Sequence, residues 1–200
     1  TQPQSPDLAR RIPTLLHKPH ALRVSLRQGF RSSYEITAFA NRFLPPEQAV
    51  AAFDRHEAAP LARRFATAER LHQAIRRQVL AWQEEGMVSI ALLCKSQAAC
   101  QALEAALRPR LAPRRLHDSA GEGLSGVLLL PVYESKGLEF DAVLVCDADA
   151  RRYGCAEDLP WLYVACTRAL HRLSLFGVGK LSPYLQDTTG KVAKNVPTDL

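Results

Sequence analysis

Three short stretches of the chain hold residue types that could meet a phosphorylated ligand. In Gly29-Phe30-Arg31-Ser32-Ser33, an arginine stands just before a helix-opening pattern, where free backbone N–H groups and a guanidinium can jointly hold an anion. In Ser135-Lys136-Gly137-Leu138-Glu139-Phe140-Asp141, Gly137 permits a tight turn or a close backbone approach, and Glu139 can accept hydrogen bonds from ribose hydroxyls. In Leu162-Tyr163-Val164-Ala165-Cys166-Thr167-Arg168-Ala169, a single basic side chain follows an apolar helical run. Each stretch also has a plainer reading: an exposed turn arginine, a strand connection, and an arginine complementing the carboxyl end of a helix dipole.

Composition sets the frame. Two hundred residues with 47% hydrophobic and 23% charged residues fit one large or two small folded domains, and no apolar run is long enough to span a bilayer. A disulfide-stapled miniprotein and a membrane protein are both excluded as expectations. The balance of 26 Lys and Arg against 20 Asp and Glu gives +6, which suits a polyanionic partner and equally suits solvated basic helix faces. Cys94, Cys100, Cys146, Cys155 and Cys166 are odd in number and lack Cys-x-x-Cys spacing, so they read as reduced thiols of a cytoplasmic protein. The six histidines form no pair spaced for a metal, and no zinc is expected. The chain opens Thr1-Gln2-Pro3, which suggests a cut start and a fragment of something longer.

The elements that must position these residues alternate in type. Pro3, Pro6, Pro13 and Pro19 predict an extended lead-in over residues 1–21. A strand is expected over Leu22–Leu26, then a loop through Arg31, then a helix opened by a Ser32/Glu35 capping box and stopped by Pro45-Pro46. A helix follows over Ala66–Glu85 with Leu71, Ile75, Val79 and Trp82 on one face. Next come a strand over Val88–Cys94 and a helix over Gln97–Leu107 with Ala98, Leu103 and Leu107 inward. A loop over Ser119–Gly126 leads to strands Val127–Val132 and Ala142–Cys146, a helix near Leu159–Leu170, and a last strand Leu173–Phe176. This is an open α/β arrangement, a mostly parallel sheet flanked by helices. In such sheets ligands bind beyond the carboxyl ends of strands, so the three stretches are expected there. From Asp187 the tail is polar and expected to be frayed.

Two phosphate-loop imitations fail on inspection. Gly121, Gly123 and Gly126 precede a strand rather than a helix, and no Gly-Lys-Ser/Thr follows. Gly179-Lys180 and Gly190-Lys191 run on into Leu181 and Val192, without the hydroxyl that would meet magnesium.

In their order, the three stretches beginning at Gly29, Ser135 and Leu162 resemble those of UvrD/Rep-type superfamily 1 DNA helicases, over about residues 22–178. The chain looks like the C-terminal, second RecA-like motor domain, a P-loop NTPase-type fold, closest to the HelD-like branch that associates with RNA polymerase. The resemblance implies that Arg31 and Arg168 reach across an interdomain cleft to the γ-phosphate of ATP, as catalytic residues. It implies that Glu139 and Gly137 lie at the nucleotide ribose, and that Phe30, where the family often has tyrosine, stacks on adenine. It also implies that Lys95, Gln97 and Tyr133 touch single-stranded DNA, at positions where the family commonly shows Arg, Asn and His.

No large helical insertion fits between Leu107 and Val127, which suits the HelD-like branch. The domain layout implied is a lead-in over 1–21, the motor domain over 22–186, and a flexible tail over 187–200. The first motor domain, carrying the phosphate loop and the magnesium ligands for Mg-ATP, is expected elsewhere, so this piece alone should not hydrolyse ATP. The alternative is a non-catalytic RecA-like module that docks on RNA polymerase or another protein. An independent nucleotide-binding protein is disfavoured by the missing phosphate loop.

Overall fold

The computed structural model describes residues 28–116 and 123–185, together with residues 12, 14–18 and 20 of the lead-in. The strand expected over residues 22–26, the first half of the loop expected over Ser119–Gly126 and the tail from Asp187 lie outside the described residues. The lead-in is not wholly extended, because the Leu16 N–H donates to the Ile12 carbonyl at 2.9 Å in a helical turn.

The described chain runs β1 (Gln28–Gly29), α1 (Tyr34–Ala40), β2 (Ala51–Ala52), β3 (Leu61–Phe65), α2 (Ala68–Glu84), β4 (Ser89–Cys94), α3 (Gln97–Leu107), β5 (Arg114–Arg115), β6 (Gly126–Pro131), β7 (Phe140–Val145), α4 (Leu159–Cys166) and β8 (Ala169–Val178). Six strands form one sheet in the order β3-β8-β7-β4-β6-β5, every pair parallel, and β1 pairs with β2 in a separate parallel ribbon. The expected α/β architecture is present, with a sheet that is parallel throughout rather than mostly so.

A parallel sheet needs both faces covered, and the alternation of strand side chains divides the core accordingly. On one face, Leu93, Leu130, Val143, Val145 and Leu175 pack with Ile36 and Phe43 from the α1 region and Leu162 and Cys166 of α4. On the other, Ile90, Leu92, Leu129, Leu144 and Phe176 pack with Leu71, Ile75, Val79 and Trp82 of α2 and Leu103 and Leu107 of α3. Each fully buried Leu or Ile contributes ~1.5–3 kcal/mol through removal from water.

Several boundaries differ from the sequence reading, for local reasons. The N-cap of α1 is Ser33, whose Oγ accepts from the Ile36 N–H at 3.4 Å. Ser32 is instead buried, and its hydroxyl donates to the Ala169 carbonyl at 2.6 Å. In α3 Ala98 is exposed and Cys100 takes the inward position. The last helix stops at Cys166, four residues before Leu170, because Ala169 already pairs with Phe140 across β8 and β7. The strand β3, Leu-Ala-Arg-Arg-Phe, lies at the sheet edge with its arginines exposed, so no alternation announced it. The two-residue strands β1, β2 and β5 are likewise too short to leave a pattern.

Candidate functional site

The register of β7 against β8 brings two of the three stretches together. Phe140 pairs with Ala169, and the Phe140 N–H donates to the Arg168 carbonyl at 2.9 Å. The residues just before these strands, Glu139 and Arg168, are therefore neighbours although twenty-nine positions separate them in the sequence. The third stretch is tied to the start of β8 by the Ser32 bond to Ala169 and by the Ser33 N–H, which donates to the Leu170 carbonyl at 3.1 Å. These bonds set Arg31 beside the other two. Arg31 Nε and Glu139 Oε1 are 2.5 Å apart, and both side chains are exposed.

These residues line one open cleft of about 660 Å³, which also takes in Phe30, Thr37, Asn41, Tyr163 and Thr167. The cleft lies at the amino-terminal ends of β7 and β8, which corrects the expectation of carboxyl ends for Glu139 and Arg168, whereas Arg31 does follow the carboxyl end of the short strand β1. The reason is topological. In a parallel sheet the connection must bring the chain back to the starting edge, so residues 136–139 and the end of α4 arrive at the amino end before the next strand begins.

Arg168 combines two readings that the sequence kept apart. Its Nε donates to the Val164 carbonyl at 3.2 Å, satisfying the carboxyl end of α4, where Thr167 Oγ1 also donates to Tyr163 at 3.0 Å. Its Nη1 donates to the Leu138 carbonyl at 3.1 Å and Nη2 approaches Thr167 Oγ1 at 3.3 Å. The guanidinium is thus locked in orientation, with its tip at the cleft. Burial, and then the positive charge of Arg31, hold its pKa below the ordinary arginine value, although an arginine stays charged throughout the physiological range. Among the described residues no carboxylate is in ion-pair contact with Arg168. Two guanidinium groups against the single Glu139 carboxylate leave the cleft with a net positive charge, which suits an anionic ligand.

Phe30 stands at the mouth, 63% exposed, with its ring 5.3 Å from that of Phe53. One ring face is braced and the residue still presents aromatic surface to the cleft. Gly137 does not line the cleft. It has φ +87°, a conformation that favours glycine, and turns the chain from the 3-10 helix Val132–Ser135 toward Glu139.

Lys95, Gln97 and Tyr133 lie on the opposite edge of the sheet, beyond the carboxyl ends of β4 and β6, about 20 Å away at the rise of a six-residue strand. Tyr133 is 44% exposed and Gln97 is exposed at the first turn of α3. Lys95 is partly exposed and already engaged by partners within the chain. Its Nζ is 2.5 Å from Asp158 Oδ1, also donates to the Arg152 carbonyl, and lies 5.3 Å from the centre of the Tyr153 ring. Burial pushes the Asp158 carboxyl up, but hydrogen bonds from Lys95 and Cys155 outweigh it and bring its pKa below the usual value. Next to it the Lys95 N–H donates to both oxygens of Asp147, at 3.2 and 3.0 Å.

Cys94, Cys100, Cys146 and Cys166 are buried free thiols, and Cys155 is exposed. Among the described residues no group of three His, Cys, Asp or Glu side chains is placed to hold a metal, and no helix is long and apolar enough to cross a membrane.

The sequence reading missed Thr37, Asn41 and Tyr163 in the cleft, and missed the segment 53–57 behind it. Asn41 uses its whole amide on Val50, at 2.8 and 3.0 Å, fastening the end of α1 to the β1/β2 ribbon. Nothing in its local sequence signals that bond, because its partner is a backbone.

With this geometry in view, comparison with known proteins is informative. Residues 126–176 match the model of the family described as the UvrD-like helicase C-terminal domain, a span that takes in Glu139 and Arg168 but not Arg31 or Lys95. Among solved structures, the chain is similar to the C-terminal domain of a possible DNA helicase from Lactobacillus plantarum WCFS1. The two are 29% identical with a TM-score of 0.70, over 82% of this chain and 96% of that one. No curated protein matches. The six-stranded α/β fold is thus the fold of a helicase C-terminal domain.

Proposed function

We propose that this chain is the second motor domain of an ATP-dependent DNA helicase or translocase, and that its cleft completes a nucleotide site shared with a first motor domain. The observation that carries the reading is the convergence of Arg31 and Arg168 on one cleft, with the Arg168 guanidinium fixed in orientation by carbonyls. The similarity to UvrD-like helicase C-terminal domains supports the same assignment.

Within that reading each cleft residue has a task. Arg31 and Arg168 bind the terminal phosphate and offset the charge that develops on it in the transition state. Because Arg168 is already held by the carboxyl end of α4 and by Leu138, little reorganisation is needed when the reaction occurs. Glu139 orients Arg31 through one oxygen and accepts from the ribose through the other. Phe30 offers its face to adenine, and Gly137 sets the turn that delivers Glu139. Magnesium ligands would come from the first motor domain, consistent with the cationic lining of this half. Magnesium supplies charge neutralisation across the phosphates when bound.

Single-stranded DNA would run along the opposite edge, with Tyr133 stacking on a base and Gln97 and Lys95 beside it. Among the described residues of the connection from Leu107 to Gly126, β5 is the only strand and there is no α-helix, which supports placement near the HelD-like branch and RNA polymerase as a partner. The pairing of Lys95 with Asp158, with Asp147 and Asp149 adjacent, favours a second reading for that edge alone: a protein-docking surface rather than a nucleic-acid track.

The deciding experiment is steady-state ATP hydrolysis by the complete gene product. Arg168→Ala should lower turnover by about a thousandfold or more with an unchanged circular dichroism spectrum and melting midpoint. Wild-type turnover in that variant refutes the shared-site assignment.

A further inference from the structure

Neither the three stretches nor the comparisons assign anything to residues 53–57, which link β2 to β3 behind the cleft. This segment is stitched to both arginine-bearing arms. Arg55 Nη2 carries two protons and donates to the Arg31 carbonyl at 2.6 Å and to the Leu170 carbonyl at 3.1 Å. The Arg55 carbonyl in turn accepts from the Tyr34 N–H at 2.8 Å, at the start of α1. Arg55 Nε lies 3.4 Å from Glu57 Oε1. Glu57 is anchored in turn: Oε1 meets His171 Nδ1 at 2.7 Å, Oε2 accepts from Arg172 Nη1 at 2.9 Å, and its N–H donates to Glu35 Oε2 at 2.9 Å.

We infer that Arg55 is a positioning residue for phosphoryl transfer, a clamp that fixes the backbone of Arg31 relative to the strand that begins just after Arg168. The inference rests on the shared-site reading above. The geometry sets it apart from an ordinary surface ion pair. The side chain reaches two carbonyls from different elements, 24 and 115 positions away in sequence, and one belongs to a proposed catalytic residue. Leu170 lies two residues beyond Arg168, so the separation between the two guanidinium groups is defined by short covalent paths from a single bridging atom. Without Arg55 the Ser32 and Ser33 bonds to β8 remain, so the fold is kept, but the Arg31 carbonyl is left without this donor. The loop then gains freedom at the position where a displacement of about 1 Å costs roughly a hundredfold in rate.

The test is ATP titration of hydrolysis by the complete gene product, with Arg168→Ala as the reference for the underlying reading. Arg55→Ala should lower kcat at least tenfold while leaving KM for ATP within about twofold and the melting midpoint close to wild type. Arg55→Lys, whose ammonium keeps donors for the carbonyls, should recover most of that loss. A merely structural role would instead lower the melting midpoint and leave kcat per folded molecule unchanged. Should the alanine variant not fold, Arg55→Gln, whose amide falls short of both carbonyls, serves the same comparison. Native kcat in a folded Arg55→Ala or Arg55→Gln variant, alongside an inactive Arg168→Ala, overturns this inference and leaves the shared site intact. Native turnover in Arg168→Ala removes both.

Discussion

At the scale of single residues, the two sheet edges solve opposite electrostatic problems. In the cleft, Arg168 is held by carbonyls, with the Glu139 carboxylate near but not in contact and the Arg31 charge opposing it. At the other edge Asp147 is pushed up to about 6 from 3.8, chiefly by burial, against the opposing effect of the Lys95 N–H. Here the folded state holds the proton more tightly than the unfolded chain. As pH rises the unfolded chain releases it first, so stability falls between about pH 4 and 6, and the loss is complete above that window. Asp147→Asn does not ionise and keeps one acceptor for Lys95. Urea unfolding across that range should therefore show the variant gaining on wild type by roughly 2 kcal/mol. A stability difference independent of pH would show that Asp147 titrates normally.

At the scale of elements, placement depends on backbone proximity more than on side-chain type. Gly177 illustrates this in β8. A Cβ there would lie 2.9 Å from the Asp149 N and 3.0 Å from the Ala148 carbonyl carbon, both backbone atoms of the segment that leaves β7. Neither yields as a side chain does. Gly177→Ala should destabilise by about 1–3 kcal/mol, the range of overpacked sites, measured as a lower chemical-denaturation midpoint with unchanged slope. Backbone proximity also bears on Ser32, which is correctly spaced for a capping box but lies against β8, where its hydroxyl donates to the Ala169 carbonyl at 2.6 Å. The capping task then passes to Ser33.

At the scale of the molecule, the proposed nucleotide cleft lies at the amino ends of β7 and β8 and the proposed strand track beyond the carboxyl ends of their sheet neighbours β4 and β6. Separation of function follows. Tyr133→Ala should weaken single-stranded DNA binding by roughly 1–3 kcal/mol, as loss of one stacked base does, while the DNA-independent rate of ATP hydrolysis is kept. Arg168→Ala should do the reverse, with binding retained in a fluorescence-anisotropy titration and turnover lost. Loss of both activities in either variant would place the two sites at one edge.

Much of this protein was legible in its sequence because regular burial imposes period. The helix Gln97–Leu107, the inward face Leu71, Ile75, Val79 and Trp82, and the apolar strands at the sheet centre all follow from which side chains must leave water. The family resemblance carried by the three motif stretches implied that Arg31, Glu139 and Arg168 lie together, and the fold does bring them to one cleft. What the sequence left undecided is where that site lies and what holds it. The edge of the sheet was decided by the parallel connections, the meeting of Glu139 and Arg168 by the β7/β8 register, and the bridge from Arg55 by hydrogen bonds to carbonyls. Every residue carries the same carbonyl, so a bond to one leaves no trace in residue identity. Only the folded chain, by bringing residues 31, 55 and 170 together, could decide which carbonyl it would be.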